Sequence, residues 1–432
     1  MRLSLKGVNL VSIELSNVRG LRRINWDITG RRKPGWHVII GDNGSGKTSF
    51  LRAIALSLLG PDEFAALRQN PRDWLTHGED SGTTRLNFDY DRHYDRFAGG
   101  GQPVKNYLLS VGVILQKMEG VVQIKKRSFR LKTDRHVWGD GAGWFSVGYG
   151  PFRRFTGGNK DNEKIFYSNP RLGRHLSVFG EDVALSEALE WLQSLRFKQL
   201  ENRAEGDLLN SIFKFINQND FLPHGVRLLE VDSEGVTFQD AYGAVIPVQG
   251  LSDGFRSLLS MTFELIRQLA LAYGSHEVFN AEDKTIIQLP GIVLIDEVDA
   301  HLHPTWQRRI GLWFRKHFPQ IQFIVSTHSP LVCQAASVGT VFKLPTPGTD
   351  ESGTMLVGID LDRLLYGNLL DAYSTGAFGD DVGRSDEGRM MLQRLAALNL
   401  KETQGSLTPT ERKEQEKLRA QLPTTAAITS AT

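Results

Sequence analysis

An α/β fold with a mixed sheet is predicted by three features of this 432-residue sequence. The apolar run Gly35–Ile40 ends at Gly41 and turns through a glycine-rich loop into a helix starting near Lys47. A second apolar strand over 291–295 delivers two adjacent acids, Asp296 and Glu297, and a third over 321–325 ends at Thr327 and His328. Short, wholly apolar strands separated by amphipathic helices are how a sheet covered by helices on its faces reads in sequence.

The elements follow in order. "VSIELSNV" and "INWDI" read as short strands ahead of "GWHVIIG" and the helix after it. Residues 61–224 read as an inserted region. Its first part, to about residue 180, is β-rich, with "TRLNFDYD" and "VKNYLLSVGVIL" as short alternating runs. Over 183–222 apolar residues return at helical spacing in "ALSEALEWLQSL" and "LLNSIFKFINQ", without the sustained heptads of long coiled-coil arms. The strands "VRLLEVD", "GVTFQD" and "AVIPVQG" come next, then a helix over 254–273, the strand 291–295, a helix over 304–317 and the strand 321–325. The core therefore comprises 1–60 and 225–400, and 401–432 reads as a charged helix with a mobile end.

Composition narrows the function. With 40% hydrophobic and 23% charged residues, the chain is neither disordered nor a membrane bundle. Its longest apolar stretch contains Glu264 and Arg267, and its first residues lack a signal-peptide core, so a soluble, cytoplasmic protein without membrane contact is expected. Cys333 is the only cysteine, which excludes an internal disulfide and fits a buried small hydrophobe. The formal charge of +2 hides an asymmetry: residues 1–180 carry 29 basic and 16 acidic side chains, and 181–432 carry 22 and 33. The densest basic stretch, Lys125 to Arg154, fits nucleic acid as a partner and equally fits a strand pair with solvated basic faces.

The chemistry sits at strand ends. Gly41 to Thr48, "GDNGSGKT", matches the phosphate-loop pattern, in which glycines let successive backbone N–H groups face phosphate and the helix N-terminus adds its positive end. Asn43, Gly44, Ser45 and Gly46 line the loop; Lys47 would bridge the outer phosphates of ATP, and Thr48 would supply a hydroxyl to Mg2+. Asp296 is placed to hold that Mg2+ through water, and Glu297 to deprotonate the attacking water. "LSDGFRS", with Ser252, Gly254 and Arg256, precedes a long helix, where Ser252 fits either a phosphate donor or a plain N-cap. His328 would donate to the γ-phosphate. His301 and His303 read as a structural turn for want of a third ligand, and Asn159–Asn162 misses the guanine-reading pattern at its last position.

As an ordered set, "GDNGSGKT", "LSDGFRS", "LIDEVDAHLHP" and "STHSP" resemble the ABC-type P-loop ATPases related to RecF and to the OLD-family and Septu (PtuA-like) bacterial defence proteins, over residues 1 to about 345. The resemblance implies a head-to-head ATP sandwich, in which Ser252 and Gly254 of one protomer contact the nucleotide held by Lys47 of another. It places Asp299 in the interface loop and His328 at the γ-phosphate switch. "VGYGPFRR" is similar to a Tyr-Gly-x-x-Arg segment of these ATPases that stands where others carry a glutamine loop, with Arg153 and Arg154 both candidates for its arginine.

The expected function is an ATP-driven switch of prokaryotic anti-phage defence, a homodimer or higher oligomer when loaded, that controls a partner effector of nuclease type. A RecF-like clamp on DNA is the alternative; the ATPase subunit of a membrane transporter is disfavoured by the missing LSGGQ signature. "GIDLDR", with Asp360 and Asp362, offers a superficial D-x-D pair of the TOPRIM nuclease kind, but no accompanying strand-end glutamate, so the nuclease is expected elsewhere.

Overall fold

A computed structural model describes residues 7–30, 33–91, 93–99, 108–139, 143–153, 168–180, 187–218, 221–279, 283–349, 351–373, 377–378 and 385–422. The chain divides into two compact units, residues 1–372 and 373–432. In the first, β1 (Asn9–Val18) and β2 (Leu21–Asp27) form a hairpin, and β3 (Gly35–Ile40) leads into α1 (Lys47–Leu59). Strands β4 (Ser81–Asp89), β5 (Leu109–Val111), β6 (Val113–Met118), β7 (Val121–Lys126) and β8 (Ser146–Tyr149) follow. Helices α2 (Glu187–Leu200) and α3 (Asp207–Ile216) precede a small antiparallel sheet of β9 (Arg227–Val231), β10 (Val236–Gln239) and β11 (Val245–Pro247). Then come α4 (Asp253–Tyr273), β12 (Gly291–Ile295), α5 (Pro304–His317), β13 (Ile321–Ser326), β14 (Gly339–Lys343), β15 (Thr354–Met355) and α6 (Gly358–Tyr366).

Two larger sheets organise this unit. One, ordered β2-β1-β4-β6-β7 with β5 also on β4, is antiparallel. The other, ordered β15-β14-β3-β13-β12-β8, is parallel from β14 to β8 and antiparallel only at β15. Helix α1 lies between them. It is buried from Phe50 to Leu59 almost all round, and its Phe50, Leu51 and Ile54 share a core with Leu15 and Leu86 of one sheet and Leu294 and Ile324 of the other. On the far face of the parallel sheet, α5 packs Phe314 against Trp36 and Phe323.

Three sequence readings meet their physical explanation here. Residues 81–126 complete the antiparallel sheet, and β8 is the edge strand of the parallel one, so much of the stretch assigned to an insertion belongs to the core sheets. The charges inside α4 are a buried pair: Arg267 donates twice to Glu264 (2.7 and 2.8 Å), and Gln268 adds a third bond at 2.6 Å. Asp360 and Asp362 lie on helix α6, two residues apart and so on different sides, rather than at a strand end. No helix among the described residues is long and apolar enough to cross a membrane.

In the second unit, α7 (Asp386–Thr403) and α8 (Pro409–Gln421) pack through Leu395, Leu398 and Leu418. Arg394–Glu414 and Arg419–Glu402 pairs cross between the helices. Thr408 caps α8 in a reciprocal bond with Glu411. The boundary at 372/373 falls inside the span 225–400 read as core, because α7 finds its apolar partner in α8.

One buried group makes the fold pH-sensitive. His175 packs behind β8 with its Nε2 3.0 Å from Ser146 Oγ. Burial, reinforced by Arg174 and Arg171, pushes its pKa down to about 3. The unfolded chain therefore takes up this proton first, so the contribution is full above pH 6.5 and is lost as pH falls toward 3, at about 1.4 kcal/mol per pH unit at most. Denaturant unfolding at pH 7.5 and 4.5 checks this: His175→Phe is expected to lose less stability over that interval than the unsubstituted chain.

Candidate nucleotide site

Four parallel strands end on one edge, and each delivers part of the site: β3 the phosphate loop, β12 Asp296 and Glu297, β13 Thr327 and His328, and β8 the segment Gly150–Arg153. Sheets of this kind bind ligands at that edge. The loop needs glycine at Gly46, which caps α1 with φ +93° and where a Cβ would lie 2.7 Å from Leu21 Cδ2. Asn43 and Gly44 are exposed at the tip, and Ser45 is buried beneath Gly41.

Lys47 is folded back on its own loop, donating to the carbonyls of Gly41 (2.7 Å) and Asp42 (3.0 Å). Burial lowers its pKa, and Asp296, Glu297, Asp42 and Asp299 oppose that shift. Thr48 Oγ1 donates to Asp296 Oδ2 at 2.8 Å, and Ser326 Oγ donates to Asp296 Oδ1 at 2.5 Å. The same Ser326 hydroxyl accepts the Glu297 N–H at 2.8 Å. One line of hydrogen bonds thus joins the phosphate-loop helix to both acids.

Glu297 adopts φ +46°, a left-handed backbone that costs an L-residue about 1–2 kcal/mol. Arg153 holds it there. This guanidinium is buried and donates to the carbonyls of Asp296 (2.7 Å), Glu297 (2.9 Å) and Gly150 (2.8 Å), while Nε donates to Ser257 Oγ on α4 (3.1 Å). Burial lowers its pKa to about 10 against the pull of Asp296, Asp299 and Glu297, so it stays charged at neutral pH. Of the two adjacent arginines left open by the sequence, Arg153 makes these contacts; Arg154 and the segment 159–162 lie outside the described residues. Ser326 is the side chain in this network that motif matching passes over. Ser326 was legible only as the last residue of a buried strand.

Asp299 accepts Thr327 Oγ1 at 2.5 Å, and His328 is exposed between buried Thr327 and Ser329. Ser252, Gly254 and Arg256 stand apart from the phosphate loop, at the start of α4. Ser252 is exposed and stands at the N-cap of α4, its carbonyl accepting the Arg256 N–H at 2.9 Å while its hydroxyl makes no cap bond. Gly254 packs on the turn after Asp299, where a Cβ would lie 2.7 Å from the His301 carbonyl. Arg256 Nη2 pairs with Asp253. A cavity of about 810 Å3 opens beside them, walled by Phe255, Leu258, Leu302 and Trp306 with His224 and Arg309 at its polar part. His303 caps α5 by accepting the Thr305 N–H.

The AAA domain family described as "AAA domain, putative AbiEii toxin, Type IV TA system" matches residues 163–334, and a second family described as "AAA domain" matches 12–137. Both matches are to AAA domains, each over less than half of the chain. Septu protein PtuA of Bacillus mycoides (strain KBAB4) is 27% identical over 335 residues, covering 76% of this chain and 39% of that protein. The Retron Vc95 probable ATPase of Vibrio cholerae serotype O1 biovar El Tor is 41% identical over 90 residues, 21% of this chain and 16% of that protein. The chain thus spans well under two thirds of these relatives. Among solved structures, the SmcHead bound to the C-winged helix domain of ScpA aligns with TM-score 0.46 and 15% identity, over 81% of this chain and 97% of that one.

At the phosphate loop, Lys47 is the group whose loss is most direct. Lys47→Ala is expected to abolish retention of labelled ATP, since no other cation is hydrogen-bonded to the loop carbonyls among the described residues. Equilibrium dialysis reads it; unchanged retention would discredit the loop as the phosphate site.

Proposed function

We propose that this chain is an ATP-binding and ATP-hydrolysing switch of a prokaryotic anti-phage defence system. ATP joins two copies head to head, and the joined state controls a partner effector of nuclease type. The observation that carries the reading is the pairing of a hydrolytic half, Lys47, Thr48, Asp296 and Glu297, with a Ser252 that faces solvent and whose hydroxyl makes no cap bond to its own helix. A residue held out in this way suits a neighbour's γ-phosphate. The relatives named as Septu PtuA and a retron ATPase support the defence setting.

Mg2+ suits the donors present, because Thr48 Oγ1 and an Asp296 carboxylate oxygen lie 2.8 Å apart and both are hard oxygens. When bound, the ion would neutralise charge on the β- and γ-phosphates. Lys47 would leave its two loop carbonyls for the phosphates, Glu297 would accept the proton of the attacking water, and His328 would donate to the γ-phosphate. Asp299 would lie in the interface. Nucleotide closes two incomplete half-sites and hydrolysis reopens them, so ATP shifts the population between single and paired protomers.

Native mass measurement of Glu297→Gln with and without ATP tests this. Paired protomers should accumulate only with ATP and bring the effector with them on purification; persistent single protomers at saturating ATP would count against the sandwich. The RecF-like alternative gains from the basic strand β7, where Lys125 is exposed, and predicts hydrolysis stimulated by DNA without any partner protein.

A further inference from the structure

A cavity of about 300 Å3 lies between the start of β8 and the turn at Asn169–Arg174, lined by Glu63, Val137, Trp144, Asn169, Arg171 and Arg174. None of these residues belongs to the phosphate loop or the acid pair. The Arg174 carbonyl accepts the Gly148 N–H of β8 at 2.9 Å.

The cavity holds two guanidiniums, Arg171 and Arg174, against one acid, Glu63. The Arg174 guanidinium stands 5.6 Å from the centroid of the Phe145 ring, and its Nε is buried with no hydrogen-bond partner. Among the described residues no carboxylate forms an ion pair with it. Glu63, the one acid among the lining residues, is engaged by Arg171 at 3.3 Å, and Arg171 also donates to the Gly139 carbonyl at 2.9 Å. Glu63 Oε2 has no partner either. Desolvation and then Arg171 lower the Arg174 pKa, with Tyr273 and Glu63 opposing, as expected where two guanidiniums share one carboxylate. Arg174 is half-buried, a buried N–H without an acceptor is costly, and nothing in the hydrolytic site uses this guanidinium.

We propose that this cavity is a second anion site, which takes a phosphomonoester on Arg174 with Arg171 and the Asn169 amide as further donors. A guanidinium offers the planar fork that matches phosphate oxygens. A dianion would compete with Glu63 for Arg171, and burial already raises the Glu63 pKa, so that carboxyl can take up a proton as Arg171 turns to the phosphate. The volume exceeds what phosphate alone needs and leaves room beside Trp144 for part of a nucleotide. A free mononucleotide and the 5′-phosphorylated end of a nucleic-acid strand present the same group.

Calorimetric titration of the full chain tests the site, in a Lys47→Ala background so that the phosphate loop does not report. The probes are inorganic phosphate, AMP, and a single-stranded oligonucleotide with either a 5′-phosphate or a 5′-hydroxyl. Saturable phosphate binding is expected, weakened tenfold or more by Arg174→Gln and less by Arg174→Lys. Tighter binding of AMP identifies the free nucleotide as the ligand; a preference for the 5′-phosphorylated strand over its 5′-hydroxyl counterpart identifies the strand end. Should Arg174→Gln fail to fold, Asn169→Asp keeps the arginine and must weaken phosphate by a similar factor. No saturable binding by phosphate, AMP and 5′-phosphorylated strand alike, or an affinity that neither substitution changes, overturns the proposal.

Discussion

Glu297→Gln is expected to lower ATP hydrolysis by about 10²–10⁴-fold, the usual worth of a positioned general base, while nucleotide retention persists. The substitution leaves the shape of the side chain intact and removes only its ability to accept a proton. The backbone that aims it is untouched, because the Ser326 bond to its N–H and the Arg153 bond to its carbonyl are both main-chain contacts. Steady-state phosphate release beside equilibrium ATP binding separates the two effects. A rate within threefold of the unsubstituted chain would assign the base elsewhere.

Arg153→Met should cost both stability and rate. The guanidinium satisfies the carbonyls of Gly150, Asp296 and Glu297, and an apolar side chain of similar length leaves all three without that donor. The Glu297 carbonyl keeps the Ala300 N–H at 2.9 Å, and each of the other two acceptors left unpaired costs about 1–3 kcal/mol. The Glu297 backbone, held left-handed at φ +46°, loses one of its restraints and relaxes, so hydrolysis is expected to fall about 100-fold from misplacement alone. ATP affinity, which rests on Lys47 and the loop, should change far less. Arg153→Lys is a graded control, since an ammonium cannot span three carbonyls and Ser257 together. A variant with unchanged kcat but weakened nucleotide binding would place Arg153 outside the positioning of the acids.

The parts of this site legible in the sequence are those whose chemistry is local. The phosphate loop is a run of eight residues from Gly41 to Thr48, and the strand Gly291–Ile295 and helix Pro304–His317 carry short, uniform apolar and amphipathic patterns that define their ends. What escaped depends on partners far along the chain. Strand β4 looks like any alternating run until β1 is known to lie beside it, with Ile13 opposite Leu86. The four residues of β8 are too few to signal an edge strand, although Ile295 opposite Tyr149 is what brings Arg153 to the acids. Ser326 looks like a strand-end residue, and its two bonds to the neighbouring strand end exist only because β12 and β13 are paired in register.

Mixing two inactive chains, Lys47→Ala and Ser252→Arg, and recording ATP hydrolysis tests the shared clasp most directly. If each nucleotide is held by Lys47 of one copy and Ser252 of another, mixed pairs contain one intact site. An equimolar mixture should then recover about a quarter of the unsubstituted rate, since half the pairs are mixed and half their sites work. A mixture no faster than the average of the two variants measured separately would contradict the account.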